Sequence, residues 1–475
     1  MNGAAQTASR PRSGDELELR VDSLAFGGEG VARLGDGGYV VFVAGAVPGD
    51  RVRALVHRSK RSYAHARVTE IIEPGPERIA PRAQHPGVPW QILAYESQLR
   101  IKQEQVADAL ARLGHLDGFA LEPIVPAVEQ WRYRNKLEYS FGDAGGELIL
   151  GFHAPAGGRD VVALEDCLLA SELGNRARAA ALEWCRGAKL TPWDRRAAGE
   201  REERTGAAHD GRVRLRNLVV REGRRSGRVQ LRIVTSAGEL EAGEFAAHVH
   251  GALGEALSGV VWTRSASLAE TTLGGETELV WGDEQLPERL GELDLRISPE
   301  AFFQTNTEMA EVLYGVAADY AALSGYERVF DLYCGIGTIA MWLAPRAGEL
   351  WGLELAPDAV ADAIAGAARN QIASAHFFAG DARLALPELT ERAGRPDVVV
   401  VDPPRAGLSK RVVHRIVDAA PRRIVYVSCN PTTLAPNAAE LAAAGWRLVR
   451  VTPVDMFPQT HHIECVALLE RGSHG

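Results

Sequence analysis

Cysteine is scarce in this chain. Cys167, Cys185, Cys334, Cys429 and Cys465 are the only five in 475 residues, and none forms a Cys-x-x-Cys pair. Neither a disulfide framework nor a compact zinc site is indicated, and a reducing cytoplasm is the expected compartment. Long hydrophobic runs are missing as well. No stretch of about 18 apolar residues occurs, which excludes a membrane-spanning helix. Met1–Gly14 is small and polar and lacks the apolar centre of a signal peptide, so residues 1–12 are expected to form a disordered tail. An excess of positive charge is also absent. The formal net charge of −9 argues against a protein that coats nucleic acid over its whole surface, while leaving room for local basic patches.

What remains is ample material for several cores: 46% of residues are hydrophobic and 24% charged. Residues 13–72 carry short alternating strands separated by glycine turns, the pattern of a small five-stranded barrel. Within them Arg51, Arg53, His57, Arg58, Lys60, Arg61, Tyr63, His65 and Arg67 form a basic tract with an aromatic interleaved. It reads as a surface for an RNA backbone or as a solvated strand face. Residues 73–292 read as a β-rich central domain. Its first feature is a helix over 95–116, with Leu99, Val106, Leu110 and Leu113 on one face and Gly114 as its stop. Trp131-Arg132-Tyr133-Arg134-Asn135-Lys136 is a second candidate RNA surface, against a plain amphipathic strand. The Arg- and Glu-rich stretch 185–228 reads as surface structure with a mobile insertion at 197–211.

From residue 293 onward short apolar strands alternate with alanine-rich helical segments, which predicts an α/β domain with a mostly parallel sheet covered on both faces. Asp331, Glu354, Asp402 and Cys429 all fall at or just beyond the carboxyl ends of the predicted strands, the edge where such sheets bind ligands. Gly335 and Gly337 permit a tight turn between strand and helix. This loop also satisfies a dinucleotide pattern. The acidic Asp331 before it, and Glu354 placed to accept ribose hydroxyl protons, tilt it toward S-adenosylmethionine. In Asp402-Pro403-Pro404-Arg405 the prolines fix the backbone and aim Asp402 into the cleft. Methyltransferases that act on exocyclic amines resemble this turn but follow it with an aromatic residue. Arg405 points to a carbon target instead.

Cys429 and Glu464 suit that target. C5 of uracil is a poor nucleophile until a thiolate adds to C6, and its proton must later be taken by a separate base. Cys429 needs local donors or positive charge to lower its pKa, which the amides around Asn430 and a neighbouring Arg would supply. Glu464 interrupts the apolar run 463–469, where burial would raise its pKa toward a base's working range. Its bland alternative is an edge-strand carboxylate facing water. His461 and His462 have no metal-like partners, and Cys465 reads as core.

Taken together, Ser298–Asn306, Asp331–Thr338, Asp402–Leu408, Ser428–Pro431 and Phe457–Glu464 resemble the RNA uracil-C5 methyltransferase family over nearly the whole chain. The resemblance implies a TRAM barrel, a central β domain and a Rossmann-like methyltransferase domain over 293–475. It implies Cys429 as nucleophile and Glu464 as proton acceptor. Around the S-adenosylmethionine donor and the target base it implies Gln304, Tyr333, Glu354 and Asp402, with Thr338 and Asp381. The partner would be RNA (23S rRNA, with tRNA as the alternative) with the target uridine flipped out of its fold. Many rRNA-acting members carry four cysteines that hold a 4Fe–4S cluster. Here Ile79, His85 and Val88 stand at three of those positions and only Cys167 at the fourth, so no cluster and no metal are expected. Three rival functions stay open on the sequence: an amino-group nucleic-acid methyltransferase, an NAD-dependent oxidoreductase and a non-catalytic RNA-binding protein.

Overall fold

The computed structural model describes residues 10–35, 38–155, 160–193, 213–267, 269 and 271–472. Most of the expected tail over 1–12 and the whole insertion at 197–211 lie outside the described residues. Five strands, β1 (Glu16–Leu24), β2 (Gly30–Leu34), β3 (Tyr39–Ala44), β4 (Arg51–Ser59) and β5 (Tyr63–Glu73), close into a barrel in the order β1-β2-β3-β5-β4. Its interior is filled by alternate inward residues such as Val21, Val41, Val52, Ala54 and Ala66. The period-2 pattern of the sequence has this physical cause. The basic tract is only partly free. Arg51 pairs with Glu18 and Glu73, Arg53 with Glu70, and His65 with Glu29. Arg58, Lys60, Arg61 and Arg67 are exposed.

Helix α1 (Tyr95–Arg112) ends four residues before the predicted limit. The amides of Leu113 and Gly114 both close onto Ala109 O, and His115 takes a left-handed φ of 50°, so the chain reverses before Leu116. The sequence grouped this helix with the central β domain. Instead Val106 and Leu110 pack into the core of the C-terminal domain, and β6 (Ala120–Leu121) adds an edge to the C-terminal sheet by pairing with residues 450–451.

The central sheet comprises β7 (Lys136–Ala144), β8 (Glu147–His153), β9 (Val161–Ala163), β10 (Thr191–Pro192), β11 (Arg214–Gly223), β12 (Arg228–Thr235), β13 (Leu257–Arg264) and β14 (Glu276–Gly282). Their order is β14-β13-β12-β11-β7-β8-β9, with β10 against β11, and α2 (Glu172–Gly187) and α3 (Ala242–Leu253) pack on it. Stretch 185–228, expected at the surface, contains β11, an interior strand. Two arginines of β11 misled the reading because they are buried against carbonyls: Arg216 donates to Ser267 O at 2.5 Å, and Arg221 to Ser298 O at 2.9 Å and to Ala301 O at 2.7 Å.

The hairpin β15 (Leu286–Leu290) and β16 (Leu293–Ile297) leads into the C-terminal domain. There α4 (Thr307–Ala321), β17 (Arg328–Leu332), α5 (Thr338–Leu343), β18 (Glu349–Glu354), α6 (Pro357–Arg369), β19 (Ala375–Ala379), α7 (Ala382–Ala393), β20 (Val398–Val401), α8 (Lys410–Ala419), β21 (Arg423–Ser428) and α9 (Pro431–Ala443) alternate before β22 (Trp446–Val454) and β23 (Glu464–Arg471). The sheet order is β19-β18-β17-β20-β21-β23-β22-β6. Strands β17 to β21 run parallel, and β20 is four buried valines, as expected of a strand covered on both faces. The chain order reverses at β17 and β20, so a crevice opens at their carboxyl ends. Strand β23 runs antiparallel between β21 and β22. Its first residue therefore reaches the same edge, and the Ser428–Cys465 pairing sets Glu464 beside Cys429.

Candidate active site

A cavity of about 830 Å³ occupies that crevice, and Gln304, Tyr333, Thr338, Glu354, Asp381, Asp402, Cys429 and Glu464 all stand on its wall. Each arrives by a local rule. After β17 the chain turns through Tyr333 at φ 66°, Gly335 at φ 54° and Gly337 at φ 76°. Tyr333, a non-glycine residue in the left-handed region, marks backbone held in place by its surroundings. A Cβ on Gly337 would meet the Phe377 ring at 2.7 Å, whereas the space over Gly335 is open. This cradle leaves Thr338 at the start of α5, hydrogen-bonded to the Tyr314 hydroxyl at 3.0 Å. Glu354 ends β18 and accepts from the amides of Gly335 at 3.1 Å and Ala356 at 3.0 Å. Asp381 caps α7, and the Arg383 guanidinium and amide hold its carboxyl down to about 2.

The opposite wall carries acids in unusual states. Asp402 follows β20, and burial pushes its pKa up to about 7, opposed by the Gln304 amide donating at 3.3 Å. Glu464 is 4% exposed. Burial lifts it well above the carboxylate range, the charge of Asp402 adds to this, and Arg405 opposes it. Asp331 is buried beneath the glycine loop and is likewise raised, first by desolvation and then by Asp402 and Glu354.

Cys429 sits between Ser428 and the start of α9, where Asn430 is the cap and Pro431 the first helical residue. Asn430 Nδ2 also donates to Arg405 O at 3.1 Å, tying the Asp402–Arg405 turn to the cysteine. Cys429 alone among the cysteines is not fully buried. The expected lowering of its pKa does not hold in the free protein: burial, then Glu464 and Asp402, push the thiol up to about 11, and Arg405 only partly offsets them.

The loop from Asp455 to His462 completes the wall. Lys102 on α1 pairs with Asp455 at 2.6 Å with both side chains wholly buried, and Tyr95 donates to the same carboxylate. Gln98 and Gln459 exchange two hydrogen bonds, both at 2.9 Å. These contacts fix His462, which lines the cavity. Burial, then His461 and Arg405, push His462 down to about 3, so it faces the cavity as a neutral imidazole.

Sequence reasoning missed Tyr314 and Arg383, which also line the cavity, and quoted Arg134, Phe302 and Phe457 only within longer segments, without a place in this site. Arg134 belongs to the segment 131–136 that was expected as an RNA surface. In the structure Tyr133 is buried with its hydroxyl on Pro458 O, Arg132 pairs with Asp166, and the Arg134 guanidinium lies 5.4 Å from the centre of the Phe457 ring. Among the cluster positions, His85 Nε2 lies 3.4 Å from Cys167 Sγ, Val88 is buried and Ile79 is exposed. Two donor atoms do not fit a four-ligand cluster.

A doubly wound sheet with a glycine cradle, an acid at the end of the next strand and an RNA-type barrel ahead of it defines a class I methyltransferase that acts on RNA. A family model described as tRNA (Uracil-5-)-methyltransferase matches residues 277–472, and the TRAM domain matches 11–69. An uncharacterized RNA methyltransferase of Halalkalibacterium halodurans is 36% identical, covering 96% of this chain and 97% of its own. One from Thermosynechococcus vestitus is 37% identical, covering 96% and 98%. Among solved structures, the Pyrococcus abyssi tRNA (uracil-54, C5)-methyltransferase in complex with S-adenosyl-L-homocysteine aligns with a TM-score of 0.73 at 25% identity, over 95% of this chain and 100% of that one. The chain belongs to the RNA (uracil-5-)-methyltransferase family, whose enzymes depend on S-adenosylmethionine. Among the described residues no helix is long and apolar enough to cross a membrane.

Proposed function

We propose that the chain methylates C5 of a flipped-out uridine in RNA through a transient bond between Cys429 and C6. The observation that carries this reading is the β21–β23 register, which sets Cys429 beside Glu464 on the wall of the cavity that also holds the glycine cradle. Tyr333, Thr338, Glu354 and Asp381 would hold S-adenosylmethionine, with Gln304 and Asp402 between the donor and the base. Bound there, the donor supplies an electrophilic methyl group. Cys429 as thiolate adds to C6, and the C5–C6 pair moves into the ring as an enolate, making C5 nucleophilic. After C5 is methylated, Glu464 as carboxylate takes the C5 proton. The C5–H pair rebuilds the double bond and expels the thiolate. The pocket's buried acids fit this order: Glu464 in dry surroundings is a stronger base than an ordinary carboxylate.

The test is incubation with labelled donor and total RNA from a modification-deficient strain, followed by nucleoside analysis. 5-Methyluridine is expected. Another methylated nucleoside in its place would overturn the assignment. Total RNA containing 5-fluorouridine should leave an RNA adduct on Cys429, because fluorine cannot depart as a proton. The sequence resemblance favours 23S rRNA as substrate. tRNA is the second reading, favoured by the activity named for the archaeal structure and by the family model's description. Fractionating the labelled RNA decides between them.

A further inference from the structure

Thiolate addition to C6 moves charge as well as forming a bond. The C5–C6 π pair shifts to C4–C5, and the C4–O4 π pair moves onto O4, where it stays until C5 takes the methyl group. An oxygen that turns anionic inside a dry pocket is stabilised by a hydrogen-bond donor already aimed at it. The polar groups given a role so far are engaged elsewhere. Cys429 and Glu464 act on C6 and C5, the Gln304 amide bonds Asp402, and the Thr338 hydroxyl pairs with Tyr314. Arg405 is exposed to solvent.

His462 is placed differently. Ile463 is turned into the core of the C-terminal domain, while the residues on either side of it, His462 and Glu464, both line the cavity. Two residues of chain span at most ~7 Å. With Cys429 beside Glu464, the wall presents Cys429, Glu464 and His462 in turn. C6, C5 and the C4–O4 carbonyl follow one another round a pyrimidine in the same order.

The His462 amide bonds Thr460 Oγ1 at 3.3 Å, and neither ring nitrogen bonds a protein group among the described residues. The ring is nonetheless fixed. Thr460 Oγ1 also donates to Phe457 O at 2.7 Å, the Phe457 ring meets His462 edge-on at 5.9 Å, and the His461 ring lies 4.3 Å away. Little reorganisation is needed when charge appears beside a donor held in this way. Because the imidazole is neutral, its N–H can donate without handing the proton to the enolate or to the Cys429 thiolate. We infer that His462 is a third catalytic residue, donating a ring N–H to O4 of the target uridine and holding the enolate until methyl transfer. The inference rests on the function proposed above.

The full chain and its variants are assayed for methyl transfer into total RNA from the modification-deficient strain, with melting temperature and donor binding measured on each. His462→Ala should lower kcat about a hundredfold, the scale of one lost oxyanion donor. KM for RNA and donor affinity should stay near wild type, because the bond strengthens only as charge develops. His462→Gln keeps an N–H on a side chain of similar reach and should recover much of the lost kcat. His462→Phe keeps a ring but no donor and should be as slow as His462→Ala. On total RNA containing 5-fluorouridine, the rate of adduct formation at Cys429 should fall in the same order, since the enolate precedes methyl transfer. If 5-methyluridine forms and folded His462→Ala keeps the wild-type kcat, or His462→Phe is as active as His462→Gln, the role of His462 is overturned and the proposed function stands. The Gln–Phe comparison decides alone if the alanine variant does not fold. If the wild-type chain forms no 5-methyluridine, both fall.

Discussion

Cys429 is exposed to two opposing demands: it must react as a thiolate, yet burial, and after it the charges of Glu464 and Asp402, hold it protonated in the free protein. Alkylation by iodoacetamide reports the thiolate directly. Its rate at Cys429 should rise by about tenfold per pH unit across the neutral and mildly alkaline range, since only the thiolate reacts, and level off near the thiol's pKa of about 11. The sign for the neighbours follows from charge. Asp402→Asn removes a negative charge and should speed alkylation at fixed pH, while Arg405→Ala should slow it. Peptide mapping identifies the site, and the four other cysteines are buried. Unchanged rates in both variants would remove the electrostatic account. Glu464→Gln should let the Cys429 adduct form on ordinary RNA and persist, because nothing then takes the C5 proton. Denaturing gels with labelled RNA would show it, and free turnover would exclude Glu464 as the base. At this scale the sequence was informative where chemistry depends on residue type. That Cys429, Asp402 and Glu464 would stand on one cavity wall was legible, the first two from their places at strand ends and Glu464 because it interrupts an apolar run. The elevated thiol pKa was not legible, because it depends first on how deeply the fold buries the thiol and then on how two carboxylates from separate strands converge on it.

Elements place those residues, and long-range contacts decide where elements go. The strand ends were legible because parallel strands are continuous apolar runs, of which Val398–Val401 is the extreme. The position of α1 was not, since its apolar face fits either neighbouring core. What commits it is the buried Lys102–Asp455 pair joining α1 to the loop before Glu464. Breaking such a pair from one side strands a buried charge at a cost of about 3–5 kcal/mol. Lys102→Met should therefore lower stability by roughly that amount in a urea melt and depress kcat, while Lys102→Met/Asp455→Leu should recover most of the stability. A double variant no more stable than the single one would show that the pair does not couple the helix to the loop. Gly337 makes a second case. At φ 76° with the Phe377 ring 2.7 Å from a would-be Cβ, Gly337→Ala is strained on both counts. The cost should be about 1–3 kcal/mol, with donor binding by calorimetry weakened because the cradle must shift.

Across the whole molecule, the barrel is joined to the rest by more than a linker. Leu24 and Val47 of the barrel side share a core with Trp90, Leu93 and Ile101, and the wholly buried Asp50 is paired with Arg78 at 2.7 Å. A barrel fixed in this way can hold RNA at a set distance from the cavity. Its basic tract divides into two groups that the sequence could not separate, because pairing across strands depends on register. Arg51 and Arg53 bond to carboxylates on adjacent strands and belong to the barrel's own stability. Arg58, Arg61 and Arg67 are exposed and have no carboxylate partner among the described residues, and an aromatic and imidazole cluster of Phe42 on β3, His57 on β4 and Tyr63 and His65 on β5 lies in the same part of the barrel. Phosphate contacts made by the exposed group would release counterions, so each should contribute about 0.7–0.9 to the slope of log affinity against log salt. The triple variant Arg58→Ala/Arg61→Ala/Arg67→Ala should therefore weaken binding of total RNA at low salt and flatten that slope by up to about 2–3 in fluorescence anisotropy. Its melting temperature should match wild type, because no ion pair is lost. Arg53→Ala should do the reverse, lowering stability slightly and leaving the slope in place. If the triple variant kept the wild-type slope, the RNA would have to pass over another face of the barrel, and the central sheet's cations at Arg134, Lys136 and Arg221 would carry the electrostatic attraction instead.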